Sequence, residues 1–332
     1  MSGRIIMKTA LLNPKLSRIL VAFSCLLLLV GAASQTSAQS SIASSVKART
    51  FATADEAADA LIAAAEKFDE AALTEILGAD SYDIIHTGEP ARDREVAAQF
   101  ASLARVKKGI SLDPMNRRRA LLTIGDDDWP FAVPIVKQGG KWAFDSKAGR
   151  QELLYRRIGR NELDAIQICR GYVEAQHEFA LTKRDGSGVN QYAQRIISTP
   201  GKQDGLAWQN PDGTWGGPIG EKAAQAIERG YKQGEPYHGY YFKVLTGQGK
   251  AAPLGELDFL QKGVMIGGFA LVAYPAQYRI TGVKTFMVSH DGVVYEKDFG
   301  PNTAKIARDL ERFNPDRTWS PVEEEPLPDP GQ

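Results

Sequence analysis

Near residue 110 the hydrophobic period of this sequence changes from about 3.6 to about 2, and that change constrains the fold more than any single residue does. Before it lie three stretches with helical spacing. The first opens on Thr53-Ala-Asp-Glu56, which reads as a capping box, and carries Leu61, Ile62 and Ala65 on the stripe of Ala57 and Ala58. The second starts near Asp69, presents Leu73, Ile76 and Leu77 on one side, and meets Gly78 as a stop. The third starts near Asp93, with Val96, Phe100 and Leu103 expected to be buried, and ends near Gly109. After the change come short apolar runs at 120–124, 131–136 and 141–145, separated by Gly125-Asp-Asp-Asp128 and Gln138-Gly-Gly140. Such spacing predicts an antiparallel meander, and helices followed by a meander predict an α+β layer domain.

The second half repeats the theme with other proportions. A polar helical stretch covers 150–180, with a break expected at Gly159 and Asn161 expected to cap the second piece. Its inward stripe is Ile166, Cys169, Tyr172, Val173, Gln176 and Phe179. Residues 185–237 are rich in Gly, Pro, Gln and Asp, with a helical piece at 221–228. Strand signals return at 240–245, 268–274, 285–289 and 293–297, and His290-Asp-Gly292 marks a hairpin. A closing helix is expected from Asn302, burying Ile306, Leu310 and Phe313. These signals divide the chain into an N-terminal α+β domain at 51–159, a C-terminal helix-plus-antiparallel-sheet domain at 160–318 and an acidic, Pro-rich tail at 319–332.

The first 38 residues read as a signal peptide. Arg4, Lys8, Lys15 and Arg18 precede an apolar run at 19–30 that is short for a membrane span, and cleavage is expected after Ala38. A flexible leader at 39–50 follows. Cys25 lies inside the apolar run, where a lipidated cysteine would close it, so it is read as filler. The implied location is the periplasm, with no membrane span in the mature chain. The signal holds four of the forty basic residues and none of the forty acidic ones, so the mature chain carries a net charge of about −4. That balance argues against a nucleic-acid binder. Only Cys169 remains, which excludes an internal disulfide, and its place on an apolar stripe predicts burial.

Several strings resemble one family. Among them are Trp129-Pro-Phe131, Arg156-Arg-Ile-Gly-Arg-Asn-Glu-Leu163, Ser198-Thr-Pro-Gly-Lys202, Tyr237-His-Gly-Tyr-Tyr-Phe242, Gly267-Gly-Phe-Ala-Leu271 and Val294-Tyr-Glu-Lys-Asp298. Over about residues 51–319 the chain resembles the exported bacterial proteins grouped as domain of unknown function 2950. The resemblance implies export and two α+β parts, and it implies no activity. The C-terminal half is also similar, through Ala175-Gln176, Gly239-Tyr-Tyr-Phe242 and Ala273-Tyr-Pro275, to the globular heads of pilins and pseudopilins. The element order of the N-terminal half is similar to that of cone-shaped folds of the nuclear-transport-factor type, an analogy of fold alone.

Assembled catalytic motifs are not found, so no catalytic residue is assigned. His177-Glu178 lacks a second ligand, because position 181 is Leu181. His86, His177, His238 and His290 fall in separate segments, and no metal site or cofactor is expected from them. Gly186-Ser187-Gly188 lacks the spacing of a nucleophile elbow. Asp126, Asp127 and Asp128 read as a solvated hairpin tip rather than a calcium loop. A candidate binding groove is formed by Asp204, Trp208, Trp215, Tyr237, His238 and Tyr240, where flat aromatics beside short polar groups suit sugar rings or extended peptide. The alternative is that both indoles pin a long loop to the sheet. The reading is of an exported, non-catalytic binding or envelope-associated protein with a glycan, peptide or protein partner. The two rivals are a periplasmic hydrolase of glycan or peptide and a pilin-head-like assembly accessory.

Overall fold

In the computed structural model the described residues are 48–184, 186 and 188–323. The expected signal peptide lies outside them, as do most of the leader and the end of the tail. Helix α1 (Ala54–Glu66) begins as its sequence requires: the Glu56 amide donates to the Thr53 hydroxyl at 3.1 Å. The Glu56 carboxylate reaches back to the Ala52 amide at 3.0 Å, one residue beyond the cap itself. Helix α2 (Glu70–Leu77) is capped by Asp69, which accepts from the Ala72 amide, and it stops at Gly78 with φ of 91°. A short helix, α3 (Tyr82–Ile85), follows in a stretch too brief for its periodicity to be counted. Helix α4 (Pro90–Val106) starts three residues before the expected point, with Pro90 in its first turn and Asp93 buried inside it.

The meander is present. Strands β1 (Lys108–Leu112), β2 (Arg119–Ile124), β3 (Trp129–Pro130), β4 (Ile135–Gln138) and β5 (Lys141–Phe144) make one antiparallel sheet in the order β1-β2-β4-β5, with β3 also paired to β2. Where the third helix was expected to run to Gly109, strand β1 starts instead at Lys108. Helices α1 and α2 pack on this sheet, and Leu61, Ile62, Leu73, Ile76, Leu122, Ile135 and Phe144 form its core. Each such side chain contributes about 1.5–3 kcal/mol when fully enclosed.

Helix α5 (Ser146–Ala180) corrects the expected break, since it runs unbroken through Gly159. Glycine in a helix interior costs about 1 kcal/mol relative to alanine. Both flanks are anchored by tertiary packing that outweighs this cost. Leu153 packs on the N-terminal core, while Ala165, Ile166, Cys169, Tyr172 and Phe179 belong to the C-terminal one. Asn161 is therefore an interior residue and not a cap; its side-chain amide donates to the Thr281 carbonyl at 2.9 Å. Next to it Glu162 accepts the Val283 and Lys284 amides. These bonds fix the middle of α5 to the segment 281–284. Cys169 has no exposed surface, and burial pushes its thiol up to about 12, which makes it inert as a nucleophile.

The C-terminal half lays α5 against an antiparallel sheet in the order Ser320–Pro321, Tyr295–Lys297, Thr285–Ser289, Ala270–Pro275, Tyr240–Leu245. The fold is α+β throughout. The polar segment after α5 holds a small sheet at Arg195–Ile197, Gly205–Gln209 and Trp215–Gly216, then helix α6 (Gly220–Glu228). The closing helix α7 (Thr303–Asp309) is shorter than expected. It buries Thr303 and Ala307, leaves Ile306 partly exposed, and Phe313 enters the core from a strand. The tail also begins later than residue 319: Trp319 is buried and Ser320–Pro321 is the edge strand of the sheet. Among the described residues no helix is long and apolar enough to cross a membrane.

Candidate functional site

The six residues of the expected groove separate into two groups. Asp204 is a loop fastener: it accepts the Thr199 amide and hydroxyl, both at 2.8 Å, and faces Arg195 at 3.5 Å. Partial burial opposes its charge, but these partners outweigh that and hold the carboxyl below its ordinary range. Trp208 is half-buried, with the Phe179 ring at 6.5 Å and the Arg184 guanidinium over its face at 5.1 Å. It lies so close over the facing strand that a Cβ on Gly216 would meet its Nε1 at 2.7 Å. Trp215 sits on that strand, half-buried and beside the start of α6.

Tyr237, His238 and Tyr240 lie elsewhere, in a turn whose central residues His238 and Gly239 have φ of 51° and 80°. Two positive φ values in succession define a type I′ turn. Gly239 is required there for a second reason, because a Cβ would press on Asn161 and Thr281. Tyr237 stacks on His238 with centroids 4.2 Å apart. Tyr240 is fully buried, its hydroxyl donating to the Lys284 carbonyl at 2.9 Å. His238 Nδ1 meets Asp164 Oδ2 at 2.7 Å, and Arg92 reaches the same oxygen at 2.7 Å. Half-burial opposes the Asp164 charge, yet His238, Arg92 and Arg160 prevail and lower its pKa. Asp164 and Phe179 are fifteen residues apart on α5, or about 22 Å along its axis. The Trp208 group and the His238 group are therefore attached to distant points of the helix.

A different site emerges from residues that the sequence assigned to the core. Val96, Phe100 and Leu103, expected to be buried by α4, are not: Val96 and Phe100 are half-buried and Leu103 is 40% exposed, because the space before them is not filled. They line a cavity of about 420 Å³, within the range of small-molecule sites. Leu61, Ala65, Leu73 and Leu77 close it from α1 and α2, and Ile124, Phe131 and Leu153 from the sheet side and α5. One end of the lining, the mouth, at which Arg160 is exposed to solvent, is of opposite character. Arg92, Arg156, Arg157 and Arg160 line it against two acidic groups, Glu89 and Asp93. Three of these arginines are engaged: Arg92 with Asp164 and Glu95, Arg156 with Glu152 and the Pro130 carbonyl, Arg157 with the Asp83 carbonyl. Arg160 has no hydrogen bond or ion pair among the described residues.

Glu89 is 8% exposed, and its Oε2 has no hydrogen-bond partner among the described residues. Burial is the dominant influence and pushes its carboxyl up to about 7; the Gly239 and His238 amides and the Arg92 charge offset only part of it. Asp93 also titrates above its ordinary range, again through burial, although it accepts the Thr87 amide and hydroxyl. Burial thus weakens the negative charge of both acids, while Arg157 and Arg160 form no ion pair among the described residues. The signal for it was present in the sequence: Arg156, Arg157, Arg160 and Asp164 recur at three- and four-residue intervals on one helix.

Fold and site together define an α+β protein with a ligand-sized apolar cavity and an arginine-rich mouth. The family model described as protein of unknown function (DUF2950) matches residues 48–322, and the chain belongs to that family. No curated protein and no solved structure matches it.

Proposed function

We propose that the chain is an exported, non-catalytic binding protein of the bacterial envelope whose cavity takes up a small apolar molecule or chain. The observation that carries this reading is the cavity behind Val96, Phe100 and Leu103. Protein interiors are normally close-packed, so a space of this size lined by large apolar side chains sacrifices core stability. Binding a ligand is a function that returns that cost. The N-terminal sequence, with its basic start, short apolar run and small-residue cleavage site, supports export. His238 and Asp164 form a hydrogen-bonded pair, but His238 is not among the residues lining the cavity, so binding is favoured over hydrolysis.

Titration of the protein from the periplasmic fraction with a neutral naphthylamine fluorophore tests it. Ala97 lines the cavity from α4. Wild type should bind saturably. Ala97→Phe, with an unchanged circular dichroism spectrum, should bind at least about tenfold more weakly, because the ring occupies the ligand's volume. Equal binding by the two proteins, or none by wild type, would overturn the reading.

A further inference from the structure

We propose that the ligand of the cavity carries a single carboxylate head, seated at the mouth between Arg160 and Glu89, with its apolar chain running inward. This rests on the binding function proposed above and adds the chemical class of the ligand.

Three observations converge on it. Of the four arginines in the lining, Arg92 and Arg156 are paired with carboxylates, whereas Arg157 and Arg160 form no ion pair among the described residues and can meet a charged head. Arg160 makes no hydrogen bond or ion pair among the described residues, feeling Asp164 and Glu95 only at longer range, and a guanidinium offers paired donors that match a carboxylate. Glu89 is more than nine-tenths buried and its Oε2 is unpartnered. A buried polar atom left without a partner costs about 1–3 kcal/mol, which a ligand's head can recover. In its neutral form Glu89 donates a proton into a hydrogen bond with a carboxylate oxygen, while Arg160 neutralises the charge.

The groups facing Glu89 fix the sign of the pH effect. Arg92 and Asp93 come from its own helix, and Tyr231 and the backbone amides of His238 and Gly239 come from the segment after α6. When Glu89 loses its proton it repels the head. Its carboxyl titrates at about 7, so carboxylate binding should weaken between pH 6 and 8. A Glu89→Gln variant isolates the contribution of Glu89 to that pH dependence.

Calorimetric titration with decanoate, decanol and decyl phosphate is the test. At pH 6 wild type should bind decanoate at least about tenfold more tightly than decanol. Arg160→Ala should remove that advantage and leave decanol within about twofold, and Arg160→Lys should restore part of it. Raising the pH to 8 should weaken decanoate for wild type and change it much less for Glu89→Gln. If decanol and decanoate bind alike, or Arg160→Ala leaves the difference intact, the carboxylate head is refuted while the apolar cavity stands. Tighter binding of decyl phosphate than of decanoate would likewise refute it. Should none of the three bind, the binding function itself fails.

Discussion

Replacing Gly149 by alanine should lower stability by about 1–3 kcal/mol, whereas the same change at Gly159 should raise it by up to about 1 kcal/mol. Both glycines lie in α5, and helix propensity alone predicts a gain at each. The surroundings differ. A Cβ at Gly149 would stand 2.6 Å from the Val133 Cα and 2.8 Å from the Ala132 carbonyl oxygen, so backbone would have to move. Val133 is fully buried in the N-terminal core and has little room to give. A Cβ at Gly159 meets nothing within 4 Å. Urea unfolding of the two variants beside wild type gives the answer. A gain at both positions would mean that α5 does not rest on the 132–133 segment as closely as described.

The second large effect belongs to Glu89. Its carboxyl is raised from 4.5 to about 7 on folding, mainly by burial. Below about pH 4.5 both folded and unfolded chains hold the proton, and the site contributes no penalty. Between 4.5 and 7 the unfolded chain releases it and the folded chain does not, so stability falls as pH rises. Above 7 the full cost, on the order of 3 kcal/mol, is in place. Glu89→Gln should thus match wild type near pH 4 and exceed it by about 2–3 kcal/mol at pH 8. Asp93 also titrates high but is common to both proteins, so the difference between their urea curves isolates Glu89. Parallel stability profiles from pH 4 to 8 would show that Glu89 titrates as an ordinary carboxyl. A group held at such a cost on a cavity wall fits a binding role better than a structural one.

Local signals in the sequence were reliable where local physics decides. The Thr53 cap, the helix start at Asp69, the Gly78 stop, the meander and the burial of Cys169 all depend on residues within a few positions of one another. Periodicity was less informative about α4. It groups Val96, Phe100 and Leu103 on one side of the helix, and all three do line the cavity, but Leu103 stays 40% exposed. It does not show whether that side meets packed atoms or a space, so a cavity wall reads as core. The break expected at Gly159 illustrates the converse, since two separate cores hold a helix across a residue that disfavours it. The pairing of His238 with Asp164 joins residues 74 apart, and no local pattern could place them together. Several strands of two residues were invisible because alternation needs at least four positions to be counted.

A crystal structure of the protein grown with decanoate would be the most decisive single experiment. The chain should lie along Phe100 and Leu103, with its carboxylate within hydrogen-bonding distance of Arg160 and Glu89. Decanoate bound only on the outer surface, or a cavity closed by its own side chains, would contradict the proposed role.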